Sequence, residues 1–217
     1  MLFADVLIAD GPDARALGER LRSPEGVTAV ATARKGLEAI VADHRPDLLV
    51  IAAPPHHSLQ HLAQAALHHP PCHVAVAPRG YAERDAEVRT IGIGYLDTPA
   101  GRAALDAARG LAWRWGAEIE AIRVVPYSHW PAPDSGAGWR AIAAAQRLSE
   151  IPGIHGTAVE GDVRHALSAL AGRVDLMVVG PRRHGPLVHL VRGDVLGHLA
   201  RTSPCPVVLI DPRRPTD

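Results

Sequence analysis

The sequence predicts an α/β protein in which a parallel sheet is covered by helices on both faces, and it makes that prediction twice along the chain. Three observations carry this reading. Short β-branched runs alternate with Ala/Leu/Arg-rich segments of helical length. The same landmarks recur in the same order in the two halves. The length, 217 residues, suits two small domains better than one.

In the front half the strand candidates are Asp5 to Ala9, Val27 to Ala31, Leu48 to Ala52 and His73 to Ala77. Helices fit between them at Asp13 to Arg22, Lys35 to His44 and Ser58 to His68, each followed by proline, glycine or both before the next strand. The back half reads as strands Thr90 to Tyr95, Glu118 to Val125, Ile154 to Glu160, Leu176 to Gly180 and Pro206 to Ile210. Its helices are Ala100 to Trp115, Gly138 to Glu150, Arg164 to Ala171 and Asp194 to Arg201, with Tyr127 to Gly138 as a long surface loop. Between the halves, Gly80 to Val88 is charged and lacks apolar periodicity, which suits an exposed linker. The expected domains are 1–79 and 88–217, joined by 80–87.

The repeat rests on specific residues. Asp47-Leu48-Leu49-Val50-Ile51 matches Asp175-Leu176-Met177-Val178-Val179, and Pro71-Cys72-His73-Val74 matches Pro204-Cys205-Pro206-Val207. The aspartate-to-cysteine spacing is 25 positions in front and 30 behind, and the front copy has four strands to the back copy's five. One strand–helix unit is missing from the front, and the sequence leaves open which. The two cysteines, in equivalent places, read as small buried hydrophobes that open the last strand of each copy.

Basic and acidic residues balance at 23 each, so charge favours neither nucleic acid nor an anionic membrane. The longest apolar runs are too short to cross a bilayer, and the first ten residues lack a secretory pattern, so a cytoplasmic location is expected.

The chemistry concentrates after the fourth strand of the back half. Gly180-Pro-Arg-Arg183-His184-Gly185, followed by Gly193-Asp194-Val195 at a helix start, has the make-up of a phosphate cradle. Glycines admit backbone N–H groups close to an anion, and a helix N-terminus adds positive potential. With the strand before it and Pro204-Cys205-Pro206 after it, this stretch resembles the C-terminal signature of the universal stress protein family. Residues 88–217 carry the resemblance; over 1–79 it rests on Asp10-Gly11-Pro12 and the ending Pro71 to Gly80.

The resemblance implies two Rossmann-like domains of the adenine-nucleotide-hydrolase type, packed as an internal pseudo-dimer through their last strands, with Ala75-Val76 and Val208-Leu209 at the seam. It also implies an ATP site drawing on Gly180, Arg182, Gly193, Asp194, Val195, Val124 or Val125, and Asp97. That site departs from the family pattern, in which two residues separate the first two glycines, nine the next, and Ser or Thr follows. Arg183 stands at the second glycine and Asp194 at the hydroxyl residue. A carboxylate caps a helix but repels phosphate by roughly 4 kcal/mol at about 4 Å and an effective dielectric of about 20. The family's nucleotide-contacting aspartate aligns with Leu96, one residue before Asp97, and a one-residue slip reverses a side chain's direction. The front copy keeps Asp10 but has Ala52 to His57 where the cradle should be.

The front half also resembles a bacterial receiver domain with Ala52 at the phosphoacceptor position, a reading that strand order should test. His57 and His61 share a helix face at metal-ligand spacing without a third partner. Trp113, Trp115, Trp130 and Trp139 offer either an interface patch or helix packing. No nucleophile–base constellation is legible. The expected function is therefore non-enzymatic: a stress or regulatory protein that acts through a protein partner, with ATP binding degenerate and no cofactor expected. Homodimerisation is left open. The alternative is a nucleotide-binding switch with slow or no hydrolysis.

Overall fold

The computed structural model describes residues 3–9, 11–31, 41, 43–53, 72–84, 87–125, 137–180 and 194–213. Nine strands form one sheet: β1 (Phe3–Ala9), β2 (Arg22–Ala31), β3 (Leu48–Ala52), β4 (His73–Ala77), β5 (Thr90–Gly94), β6 (Glu118–Val125), β7 (His155–Glu160), β8 (Leu176–Val179) and β9 (Val207–Leu209). Five helices are described: α1 (Pro12–Leu21), α2 (Pro99–Trp115), α3 (Ala137–Ser149), α4 (Val163–Ala171) and α5 (Asp194–Thr202). The expected helices at 35–44 and 58–68, apart from 41, 43 and 44, lie outside the described residues, as does most of the 127–138 loop.

Apolar side chains alternate across the sheet because successive strand residues point to opposite faces. Val6, Ile8, Leu48 and Val50 join α1, α2 and Leu148 of α3 in one core. Leu7, Leu49 and Met177 join α4 and α5 in the other. At roughly 1.5–3 kcal/mol for each fully buried aliphatic side chain, these two layers dominate the stability of the fold.

The strand order is β2-β1-β3-β4-β9-β8-β5-β6-β7. Every junction is parallel except β4 with β9, where Val74, Ala75 and Val76 face Leu209, Val208 and Val207 in antiparallel register. The expected seam residues meet there. Because the two parallel halves run in opposite directions, the carboxyl ends of their strands lie on opposite edges of the sheet. Taken in its own chain order, the back half is 3-2-1-4-5, a doubly wound arrangement.

Removing the third strand from that order leaves the front half's β2-β1-β3-β4. Among the described residues the missing strand is therefore the counterpart of β7, which lies outermost in the back half, and β2 stands at the edge of the described sheet. A receiver-type sheet without its last strand has the same order, so order alone does not separate the two readings. The mate of β4 bears on the choice, since the position where a receiver's fifth strand would lie parallel is filled by antiparallel β9.

The repeated aspartates have matching structural duties. The Asp47 carboxylate accepts the Asp5 N–H at 3.1 Å, and the Asp175 carboxylate accepts those of Arg89 and Thr90 at 2.9 Å each. Each ties the start of its copy's first strand to the start of the neighbouring one.

Two expectations need correction. The segment after β4 is only partly exposed: Tyr81 and Val88 are buried, and the Asp13 carboxylate accepts the N–H groups of Gly80 and Ala82 at 3.1 and 2.8 Å. Its charged composition hid a strap anchored from 67 residues away. Strand β2 begins at Arg22, through the Ser23-Pro24-Glu25-Gly26 stretch that looks like a turn. The Arg22 guanidinium donates to the carbonyls of Ser23, Pro24 and Gly26, and the pairing with β1 shifts register there.

Candidate functional site

A crevice enclosing about 60 Å³ and open to solvent lies at the carboxyl ends of β5 and β8, where the strand order of the back half reverses. Open α/β sheets bind ligands at such points because the loops on either side diverge.

Each wall has a local cause. Strand β5 ends at Gly94, and the chain turns through Tyr95 and Leu96 into α2, which Thr98 caps by accepting the Gly101 N–H at 3.1 Å, with Pro99 following. The turn is tight: a Cβ on Gly101 would fall 1.8 Å from the Leu96 carbonyl oxygen. Strand β8 ends at Val179, and Gly180 after it must be glycine for packing, since a Cβ there would lie 2.3 Å from the Ala100 carbonyl oxygen. The floor comes from Ile122 and Val124 of β6, and α4 contributes Val163 and Leu167. Asp162 caps α4 by accepting the His165 N–H at 2.8 Å. Val195 and Leu196, in the first turn of α5, close the far side.

Of the residues singled out from sequence, Gly180, Val195 and Val124 line this one crevice; Val125 does not. Arg182, Arg183 and Gly193 lie outside the described residues, and so does Asp10 of the front half. Asp194 opens α5, but its side chain is not among those described. Asp97 is not brought into the crevice. Its side chain is 68% exposed and ion-paired with Arg102 at 2.6 Å, while Leu96 takes the position facing the pocket. No charged side chain lines the crevice among the described residues.

Sequence reasoning missed Tyr95, Leu167 and Leu196 as lining residues. The only signal for them was their nearness to strand ends and helix starts.

Both cysteines are buried thiols. Burial pushes the Cys205 thiol above its ordinary range, against the opposing effect of a hydrogen bond with Ser203. The proposed His57–His61 pair lies outside the described residues; among the described residues no three metal-binding side chains gather. Trp115 packs against the core, whereas Trp113 and Trp139 are 85% and 69% exposed. No helix among the described residues is long and apolar enough to cross a membrane.

Comparison with known proteins gives a consistent picture. A search of curated proteins finds no match. Among solved structures, a putative universal stress protein from Pseudomonas aeruginosa is similar at 15% identity and a TM-score of 0.63, covering 94% of this chain and 81% of that one. A universal stress protein from Archaeoglobus fulgidus is similar at 16% identity and a TM-score of 0.59, covering 86% and 70%. A functionally unknown protein, also from P. aeruginosa, reaches 0.63 at 14% identity, covering 97% and 93%. At these identities the likeness concerns the fold. The sequence model described as the universal stress protein family matches residues 87–211, more than half of the chain. The chain belongs to the universal stress protein family.

Proposed function

We propose that this chain is a non-enzymatic member of its family that acts through a protein partner and has lost useful ATP binding. The observation that carries the reading is the exchange at Leu96 and Asp97. An apolar side chain faces the crevice where the family resemblance calls for an acid, and the nearby carboxylate is turned outward and held by Arg102. Sequence adds Arg183 and Asp194 at cradle positions. The exposed indoles of Trp113 and Trp139, with Ile142 51% exposed, supply aromatic and aliphatic surface of the kind that anchors interfaces.

The test is what leaves the cell with the protein. Chain purified without added nucleotide, then denatured, should release far less than one equivalent of adenine nucleotide on ion-exchange chromatography. Stoichiometric ATP or ADP would overturn the proposal.

One observation favours the second reading, an ATP-binding switch. Gly180, Val195 and Val124 do converge on a crevice at the topological switch point, with the first turn of α5 facing it. On that reading the crevice retains its adenine-side wall and the nucleotide is held without the acid.

A further inference from the structure

The outer strand of the front half, β2, presents a bare edge. Among the described residues it is the last strand of the sheet on that side, and it pairs with β1 alone. A strand in that position turns a row of N–H and C=O groups outward, where another strand can pair with them. Solvent reaches it from both faces. Val27, on the face that also carries Leu7, is 66% exposed, and Val30, opposite Ile8 on the other face, is 47% exposed.

Natural sheet edges are guarded by charges, prolines or bulges. The far edge of this sheet, β7, is guarded: His155 at its start lies 4.0 Å from Glu118, and Glu160 at its end lies 3.8 Å from Arg140. Strand β2 keeps such devices only at its start, where Pro24, Glu25 and the register shift fall. From Gly26 to Ala31 it reads Gly-Val-Thr-Ala-Val-Ala, without a charge or a proline.

Charge sets the direction in which such an edge can meet a copy of itself. The Arg22 guanidinium is turned back onto Glu19 and the carbonyls of its own turn. Glu25 is then the charge that precedes the bare segment, while Arg34 and Lys35 follow it in sequence. Antiparallel pairing runs acid toward base at both ends, and parallel pairing runs like toward like.

We propose that β2 is a self-association surface on which a second copy of this chain docks. The β2 strands of two copies pair antiparallel about a two-fold axis perpendicular to the sheet, so that each bare edge covers the other, as β4 and β9 do within the chain. Each copy brings one such strand, so the assembly closes at two. The pairing requires nothing of the crevice between β5 and β8. So short an edge buries less than the roughly 1,200–2,000 Å² of a stable interface, and a dissociation constant of about 10–100 μM is expected.

Sedimentation equilibrium of the intact chain from about 5 to 500 μM spans that range and tests the pairing. The mass should rise from 23.0 kDa toward twice that value and no further. Val27→Lys and Val30→Lys, at exposed positions on opposite faces, should each weaken dimerisation about tenfold or more, because the two-fold axis brings both lysines to one seam. Thr157→Lys, on β7, should leave it unchanged. Hydrogen exchange read by mass spectrometry should show protection added with concentration in the peptide that spans β2. A single-chain mass throughout, growth past two chains, wild-type dimerisation in both β2 variants, or an equal loss in Thr157→Lys would overturn the assignment. Protection gained at β7 in place of β2 would do the same. Thermal midpoints in dilute solution check that the lysine variants fold, and if they do not, hydrogen exchange of the wild type decides.

Discussion

Ala75 of β4 lies opposite Val208 of β9, at the centre of the one antiparallel junction in an otherwise parallel sheet. Both side chains are fully buried, Ala75 in the core on one face with Val208 beside it. Two edge strands that would each leave a row of N–H and C=O groups unpaired thus cover one another.

Placing a carboxylate at this seam should disrupt the whole molecule. Val208→Asp buries an unpaired charge, with an expected loss of at least about 3 kcal/mol. Urea denaturation would show it as a lowered midpoint, or size-exclusion chromatography as aggregate. Wild-type stability would show that the two halves do not depend on their junction.

The repeated aspartates give a graded prediction. Asp175→Ala frees two backbone donors, the part-buried Thr90 N–H and the exposed Arg89 N–H, and Asp47→Ala frees one part-buried donor, with a cost of about 1–3 kcal/mol for each donor kept from water. Asp175→Ala should be the more damaging by urea denaturation. Equal losses would mean that solvent reaches the freed N–H groups.

Such bonds also mark how far the sequence could be read. The bounds of β3, β4 and β6 follow directly from it: β3 and β4 are apolar runs closed off by turn residues, and β6 interleaves Glu118, Glu120 and Arg123 with buried Ile119, Ala121 and Val124. The seam was legible too, from matched last strands that each needed a mate. The Asp13 grip on the strap was not, since a carboxylate reaching N–H groups 67 and 69 residues away leaves no local pattern. In the candidate site, Gly180, Val124 and Val195 were legible through the motif. Asp97 points out of the crevice, as its place one residue past the position of the family's aspartate implies, because the direction of a side chain at a strand end depends on one residue of register.

Two glycine substitutions separate packing from binding. Gly101→Ala would drive a Cβ to 1.8 Å from the Leu96 carbonyl oxygen, and Gly180→Ala to 2.3 Å from that of Ala100. Overpacking of this kind costs about 1–3 kcal/mol, and backbone is the less yielding neighbour. Thermal melts should rank wild type above Gly180→Ala and Gly180→Ala above Gly101→Ala. The reverse order would mean that the α2 turn yields more readily than the end of β8.

Stability should fall at alkaline pH. The folded chain holds the protons of Cys205 and Tyr81 above their ordinary values of 9.0 and 10.0, mainly through burial. A raised folded pKa stabilises fully below the unfolded value and loses that contribution as pH climbs through the folded one. Urea midpoints from pH 8 to about 10.5 should decline, and less steeply in Cys205→Ala with Tyr81→Phe. An identical decline in the double variant would place the alkaline sensitivity elsewhere.

The central claim, that the crevice between β5 and β8 no longer serves ATP, is tested most directly by equilibrium dialysis against labelled ATP and magnesium. The account predicts binding weaker than about 100 μM, the equivalent of about −5.5 kcal/mol. Saturable binding tighter than that, at one nucleotide per chain, would contradict it.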